Sequence, residues 1–374
     1  MSTTTLAPTS DDTRSASGLV RGFHPGWFGA VMGTGIVGVA AYLNPGSTDD
    51  LYRTAHGVGV SFVLLAWLEA VLLAGPYLFR MARHPDASMA DLRHPVIGPL
   101  YGTFPAALLV LAAATATVGG SMSSVLSAHD IVVIVAVLAS AGSVLTFVFG
   151  VVFAYVLFAR EDVGLFDANG GWSIPPVANM VIPLPLLVLI PHVDQPSARL
   201  LYLAGYATLG MGTVLFLFVT ATLFDRLFFH PLPHASLAPS LWIGLGPIGV
   251  GSFVLLRLAA AGQPFWGPQA ATVMSLSRLG ATFLWGFGLW WLAIAGAILV
   301  RYFRHGGLPF GIGLWAFTFP MGAYTVATLQ VARSWQSHPL EWGALGLFGL
   351  LACFWLAVGT STLVGIGTGK AWKR

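Results

Sequence analysis

Charge is what this sequence has least of. Asp, Glu, Lys and Arg make up 8% of its 374 residues, against about 25% in soluble domains. A chain this poor in charge and 56% hydrophobic cannot present a wetted surface all round, so it reads as a membrane protein. Cysteine is nearly missing too. The one cysteine, Cys353, lies in an apolar run, which excludes an internal disulfide framework and a thiolate metal cluster, and it reads as a small buried hydrophobe. The ten histidines lack metal-ligand spacing, and His230 and His234 fall in the polar stretch HPLPHASLAP, so neither a metal nor any other cofactor is expected. There is no Walker-type phosphate loop, so the chain does not itself hydrolyse ATP. The formal net charge of +3 is small, and no nucleic-acid partner and no enzymatic activity are expected.

Stretches of roughly 20 apolar residues mark membrane spans. They lie near 25–43, 55–79, 96–118, 130–158, 174–192, 200–224, 240–261, 278–300, 309–332 and 342–366, giving ten helices embedded in a lipid bilayer. Lys and Arg test that number independently. Twelve fall in one set of alternate connections and four in the other, with Arg257 inside a span, so the positive-inside rule puts both termini in the cytoplasm of a multi-pass inner-membrane protein. Residues 1–22 are Ser/Thr-rich with too little apolar content to fold, and read as a disordered cytoplasmic tail. They lack the basic start and short apolar core of a signal peptide. Residues 23–372 then form a single transport domain, with 373–374 as a cytoplasmic C-terminus.

Proline alternates along the chain. The third, fifth, seventh and ninth spans carry Pro99 and Pro105, Pro176, Pro183 and Pro185, Pro247, and Pro320, while the first has Gly33, Gly35 and Gly38. Even spans have none in their interiors; Pro76 lies near the end of the second. Irregular backbone at membrane depth is tolerated only where protein or a water-filled cavity covers it. Five helical hairpins with the odd helices inside, around a central pore, satisfy that condition. The stretch Gly311 to Leu329, GIGLWAFTFPMGAYTVATL, shows the pattern most fully: Pro320 is expected to bend a membrane helix beside Phe319. Gly33, Thr34, Gly35, Pro105, Pro183, Pro247 and Pro320 become candidate pore-lining residues on the same argument.

Gly33-Thr-Gly35-Ile-Val-Gly38 also matches the dinucleotide fingerprint, but it lies inside a span, and Asp49 and Asp50 come too early for the required acid. Small residues at this spacing serve close helix approach instead. Two ionisable residues lie within spans, and burying either is costly enough that each should face a cavity or a partner. Arg257 would attract anions or snorkel to the nearer surface. Glu69 would pair structurally with another polar group or carry a proton. Phe317 and Phe319 project from different sides of a helix, so at most one faces a central path.

With these residues assembled, the chain resembles the tellurite-resistance/dicarboxylate transporter family, which includes plant guard-cell slow anion channels, yeast malate permease and fungal sulfite efflux pumps. The resemblance spans Phe23 to about Trp372. It rests on Trp27-Phe-Gly-Ala-Val-Met-Gly-Thr-Gly-Ile36, Pro239-Ser-Leu-Trp-Ile-Gly-Leu-Gly-Pro247 and Trp315-Ala-Phe-Thr-Phe319-Pro320. Leu245 to Phe253 and Trp285 to Trp291 look most like the sulfite efflux branch. The loop from Glu161 to Trp172, with Asp162, Asp167 and Asn169, departs from the pattern. The resemblance implies an all-α integral membrane fold of ten helices, a pore within each protomer, assembly as a homotrimer, and a pore-plugging phenylalanine in the ninth helix. By position that gate is Phe319, with Phe317 second. The function expected is transport of a small anion, sulfite or another oxyanion or a C4-dicarboxylate. A proton-coupled malate carrier with Glu69 in the path and a passive chloride or nitrate channel are the alternatives, and a non-transporting receptor or scaffold is the remaining class.

Overall fold

The computed structural model describes residues 16–372. Their regular structure is helical, with no strand among the described residues. In chain order the α-helices are α1 (Ala16–Arg21), α2 (Phe28–Tyr42), α3 (Tyr52–Arg83), α4 (Pro85–Arg93), α5 (Thr103–Val118), α6 (Ala128–Phe158) and α7 (Ile174–Val181). Then follow α8 (Pro183–Leu189), α9 (Gln195–Phe229), α10 (Leu245–Ala261), α11 (Gln263–Trp266), α12 (Ala270–Arg304), α13 (Thr318–Ser334) and α14 (His338–Gly367). Nine helical segments of the described residues are long and apolar enough to cross a membrane. The segment expected as the first of ten is shorter: α2 has 15 residues, a rise of about 22 Å at ~1.5 Å per residue.

Two classes of helix separate by burial. In the most apolar windows around α5, α7–α8, α10 and α13, between 67 and 83% of residues are buried; in those of α3, α6, α9, α12 and α14 the share is 17 to 28%. In α2 all but three residues are buried. The inner helices close a ring: α2 packs on α5 and α13, α5 on α7 and α8, and α10 on α7, α8 and α13. Each inner member is backed by the outer helix that follows it, α2 by α3, α5 by α6, α7 and α8 by α9, α10 by α12 and α13 by α14. Outer helices turn side chains such as Val71 and Phe218 outward, where lipid tails replace a protein core. Cys353, expected to be buried, is among the exposed residues of α14 for the same reason.

Every inner segment begins alike. A 3-10 turn (Pro25–Trp27, Gly98–Gly102, Gly170–Ser173, Ala235–Gly244 or Ile312–Phe317) leads into the α-helix. Pro105, Pro176, Pro247 and Pro320 are each the third residue of α5, α7, α10 and α13. The expected bend at the middle of the ninth span is therefore a start: Pro320 sits in the first turn of α13, where a missing N–H breaks no ladder bond. Only Pro183 interrupts a span further along, opening α8 after α7.

The disordered tail expected over 1–22 needs correction at its end. Residues 1–15 lie outside the described residues, but Ala16–Arg21 is helical and contacts α3, where the Arg21 carbonyl accepts a 2.9 Å hydrogen bond from buried Arg80 Nε. Residues 373–374 are likewise outside the described part. The loop Glu161 to Trp172 is docked: Asn169 is buried, Trp172 Nε1 donates to the Pro95 carbonyl at 2.8 Å, and the Arg226 guanidinium lies 5.2 Å from the Phe166 ring centre. At its start Arg160 pairs with Asp162, and that hydrogen bond holds the Asp162 carboxyl below the usual carboxylate range.

Candidate functional site

Three cavities follow one another along the axis of the inner ring. On the face where Gly22 and Trp372 meet lies a vestibule of about 280 Å³, lined with polar groups that include His24, Asn169, Ser240 and Lys370. Next comes a neck of about 60 Å³, lined by the first turns of all five inner segments through Gly29, Thr103, Val177, Ile243 and Trp315 among others. Vestibule and neck share Leu100, Ile243, Ile312, Gly313 and Ala316. Beyond the neck is a chamber of about 350 Å³, lined by later turns of the same five segments, with Val39, Ala116, Val188, Arg257 and Gln330. The inner helices therefore run parallel, with their N-terminal ends toward the vestibule.

Phe319 is the one residue common to the linings of neck and chamber. It is 6% exposed, held as the second residue of α13 between Thr318 and Pro320. Phe317 projects elsewhere: its ring lies 5.4 Å from Trp242 and 5.3 Å from Phe354, and it lines none of the three cavities. It is a packing residue between α13, α14 and the turn before α10.

Arg257 lines the chamber, exposed within it, and forms no hydrogen bond or ion pair with a described residue. Among the described residues of that lining it is the only charged one, with Gln330, Thr117 and Tyr42 supplying the other polar groups. Glu69 is not there. Its Oε1 accepts a 3.0 Å hydrogen bond from Thr34 Oγ1, which in turn accepts one of 3.0 Å from Trp355 Nε1. Oε2 is buried without a partner among the described residues. Glu69 thus belongs to the contact of α2 with α3 and α14, behind the inner ring, and Thr34 faces it rather than the axis.

Most of the other candidate lining residues also turn out to be contact residues. A Cβ at Gly33 would stand 2.0 Å from Thr318 Oγ1, and one at Gly35 would stand 3.2 Å from Val110 Cγ1, so both glycines let α2 approach its ring neighbours. The Pro105 carbonyl lies against Gly142 of α6 and Pro183 against Gly205 of α9. Pro247 is buried in the first turn of α10. Of that group only Pro320 lines a cavity.

The side chains missed from sequence follow helical spacing from those found. Val250 and Phe253 share a face with Arg257 on α10, and Val326 and Gln330 share one with Phe319 on α13. Stepping back four and seven residues from Arg257, and on by seven and eleven from Phe319, would have found them. Among the described residues no group of His, Cys, Asp and Glu is placed to hold a metal ion.

The profile of the voltage-dependent anion channel family matches residues 22–363. An uncharacterised transporter of Methanocaldococcus jannaschii is 32% identical over 356 residues, 95% of this chain and 96% of that one. A sulfite efflux pump of Trichophyton rubrum is 29% identical over 358 residues, covering 91% of this chain and 89% of its own. A malic acid transport protein of Schizosaccharomyces pombe is 20% identical over 324 residues, 84% of this chain and 72% of its own.

Proposed function

Because the chain belongs to the voltage-dependent anion channel family, we propose that it conducts a small anion across the cell membrane along the axis of its five inner helices, and that Phe319 closes that path. The observation that carries this reading is the position of Phe319, the residue shared by two cavities otherwise lined by different residues. Removing its ring joins them. In proteoliposomes loaded with chloride, nitrate, sulfite or malate, Phe319→Ala should raise anion flux severalfold over wild type. Unchanged flux from a folded variant would remove the gate assignment.

Arg257 supplies attraction on the chamber side without a tight site that would trap the ion. The parallel N-terminal ends of the inner helices add positive potential at the neck, through their aligned peptide dipoles. Cargo is a small oxyanion such as sulfite, as the fungal sulfite pump suggests, or a dicarboxylate, as the malic acid transporter suggests.

The position of Glu69 off the axis favours a passive path over proton coupling through that carboxyl. Glu69→Gln should leave any flux driven by a pH gradient unchanged; its loss would favour the proton-coupled carrier. The Lys and Arg distribution supports both termini lying in the cytoplasm, which protease accessibility of terminal tags would test. Assembly as a trimer with one path per copy belongs to the same proposal, measurable by the mass of the purified particle.

A further inference from the structure

We propose that Lys370 makes the vestibule a second capture site for small inorganic anions and carboxylates, paired across Phe319 with Arg257 in the chamber. The inference rests on the reading of this axis as an anion path. Among the described residues lining vestibule, neck and chamber there is no carboxylate, and the Lys and Arg present are Lys370 in the first and Arg257 in the last. The neck between them carries no charge. Its Thr103 hydroxyl is already committed, to the Pro25 carbonyl at 3.0 Å and the Leu100 carbonyl at 2.6 Å. An ion stripped of water in the neck therefore has no charged partner, whereas on either side it meets one cation. The two resting places of the path coincide with its two fixed positive charges.

Lys370 is held there by structure. It opens the 3-10 turn Lys370–Trp372, in which Ala371 is buried and the Trp372 ring lies 5.7 Å from that of Trp27. The ammonium makes no hydrogen bond or ion pair with a described residue, and the Ser236 and Ser240 hydroxyls line the same vestibule. An exposed ammonium stays hydrated, so the site is shallow. Capture then raises the local anion concentration while leaving exit toward the neck fast, as conduction requires.

The test is directional. In the Phe319→Ala background, nitrate currents are recorded in inside-out and outside-out membrane patches at low ionic strength. Lys370→Gln should reduce nitrate current that enters from the face bearing the termini, by about fivefold or less, as expected for one charge near contact in water and falling with added salt. Current entering from the other face should be nearly unaltered. Arg257→Gln should do the reverse, and Lys370→Arg should behave as Lys370. Equal loss in both directions, or no loss, overturns the proposal.

A second measurement does not depend on conduction. Iodide quenches tryptophan fluorescence on close approach, and Trp372 lines the vestibule with Lys370, two residues away in the same turn. Quenching of the purified protein by iodide should weaken in Lys370→Gln and persist in Lys370→Arg; equal quenching in all three overturns the capture site. A silent Phe319→Ala variant with Lys370-dependent quenching would instead place the failure in the conduction reading.

Discussion

Taking away Asp91 would strand a guanidinium that solvent does not reach. Arg80 is 0% exposed; its Nε donates to the Arg21 carbonyl at 2.9 Å, one Nη to the Tyr101 hydroxyl, and the other to Asp91 Oδ2 at 2.6 Å. Four segments meet at this one side chain: α1, α3, α4 and the turn before α5. Breaking a buried pair from one side typically costs about 3–5 kcal/mol, because the remaining charge keeps its desolvation penalty. Asp91→Ala should therefore lower the thermal unfolding midpoint in detergent sharply. Replacing both partners, Arg80→Met with Asp91→Leu, should be milder than the single change. A single variant as stable as wild type would show that water reaches the pair. The sequence placed Arg80 among loop charges, because its apolar window stops at Phe79. A partner eleven positions away, across a helix break, follows no helical spacing rule.

The inner helices share one construction, a 3-10 turn followed by an α-helix whose third residue is proline in four of five cases. At that position the missing N–H is one that no carbonyl within the helix would have accepted, and the fixed φ suits the first turn. Pro320→Ala should accordingly shift stability by about 1 kcal/mol or less, whereas Ala327→Pro, in the interior of the same helix, should cost about 3 kcal/mol or more. Unfolding in detergent distinguishes the two; a large loss from Pro320→Ala would restore the bend within the span. The ring itself was legible in the sequence. Proline gathers in spans covered by protein, and its alternation matches the alternation of burial between inner and outer helices. Which side of each inner helix faces the axis was not legible from those residues, since glycine marks where neighbours come close, as Gly33 does against Thr318. Thr34 points to Glu69 for the same reason: a polar side chain within a span is drawn to the nearest polar partner, whether or not that lies on a path.

Across the whole molecule the axis is a series of compartments, and in a series the narrowest one sets the rate. On the proposed path the narrowest point, with its ring in place, is Phe319, which lines both neck and chamber. Once it is gone, the next restriction is the neck, about 60 Å³ against about 350 Å³ in the chamber and about 280 Å³ in the vestibule. The neck is therefore the compartment with the least room for an anion and its hydration shell. Val177, 2% exposed, lines the neck from α7. If Phe319 closes the path as proposed, enlarging Val177 to Phe should do little to basal flux. In the Phe319→Ala background the same change should remove most of the gained flux, and remove it more completely for malate than for chloride. The two substitutions would then be strongly non-additive although one lies on α7 and the other on α13, because both act on a single line of passage. Independent effects of the two, with Val177→Phe leaving the flux of Phe319→Ala intact, would mean that anions pass Phe319 without crossing the neck and that the vestibule is a dead end.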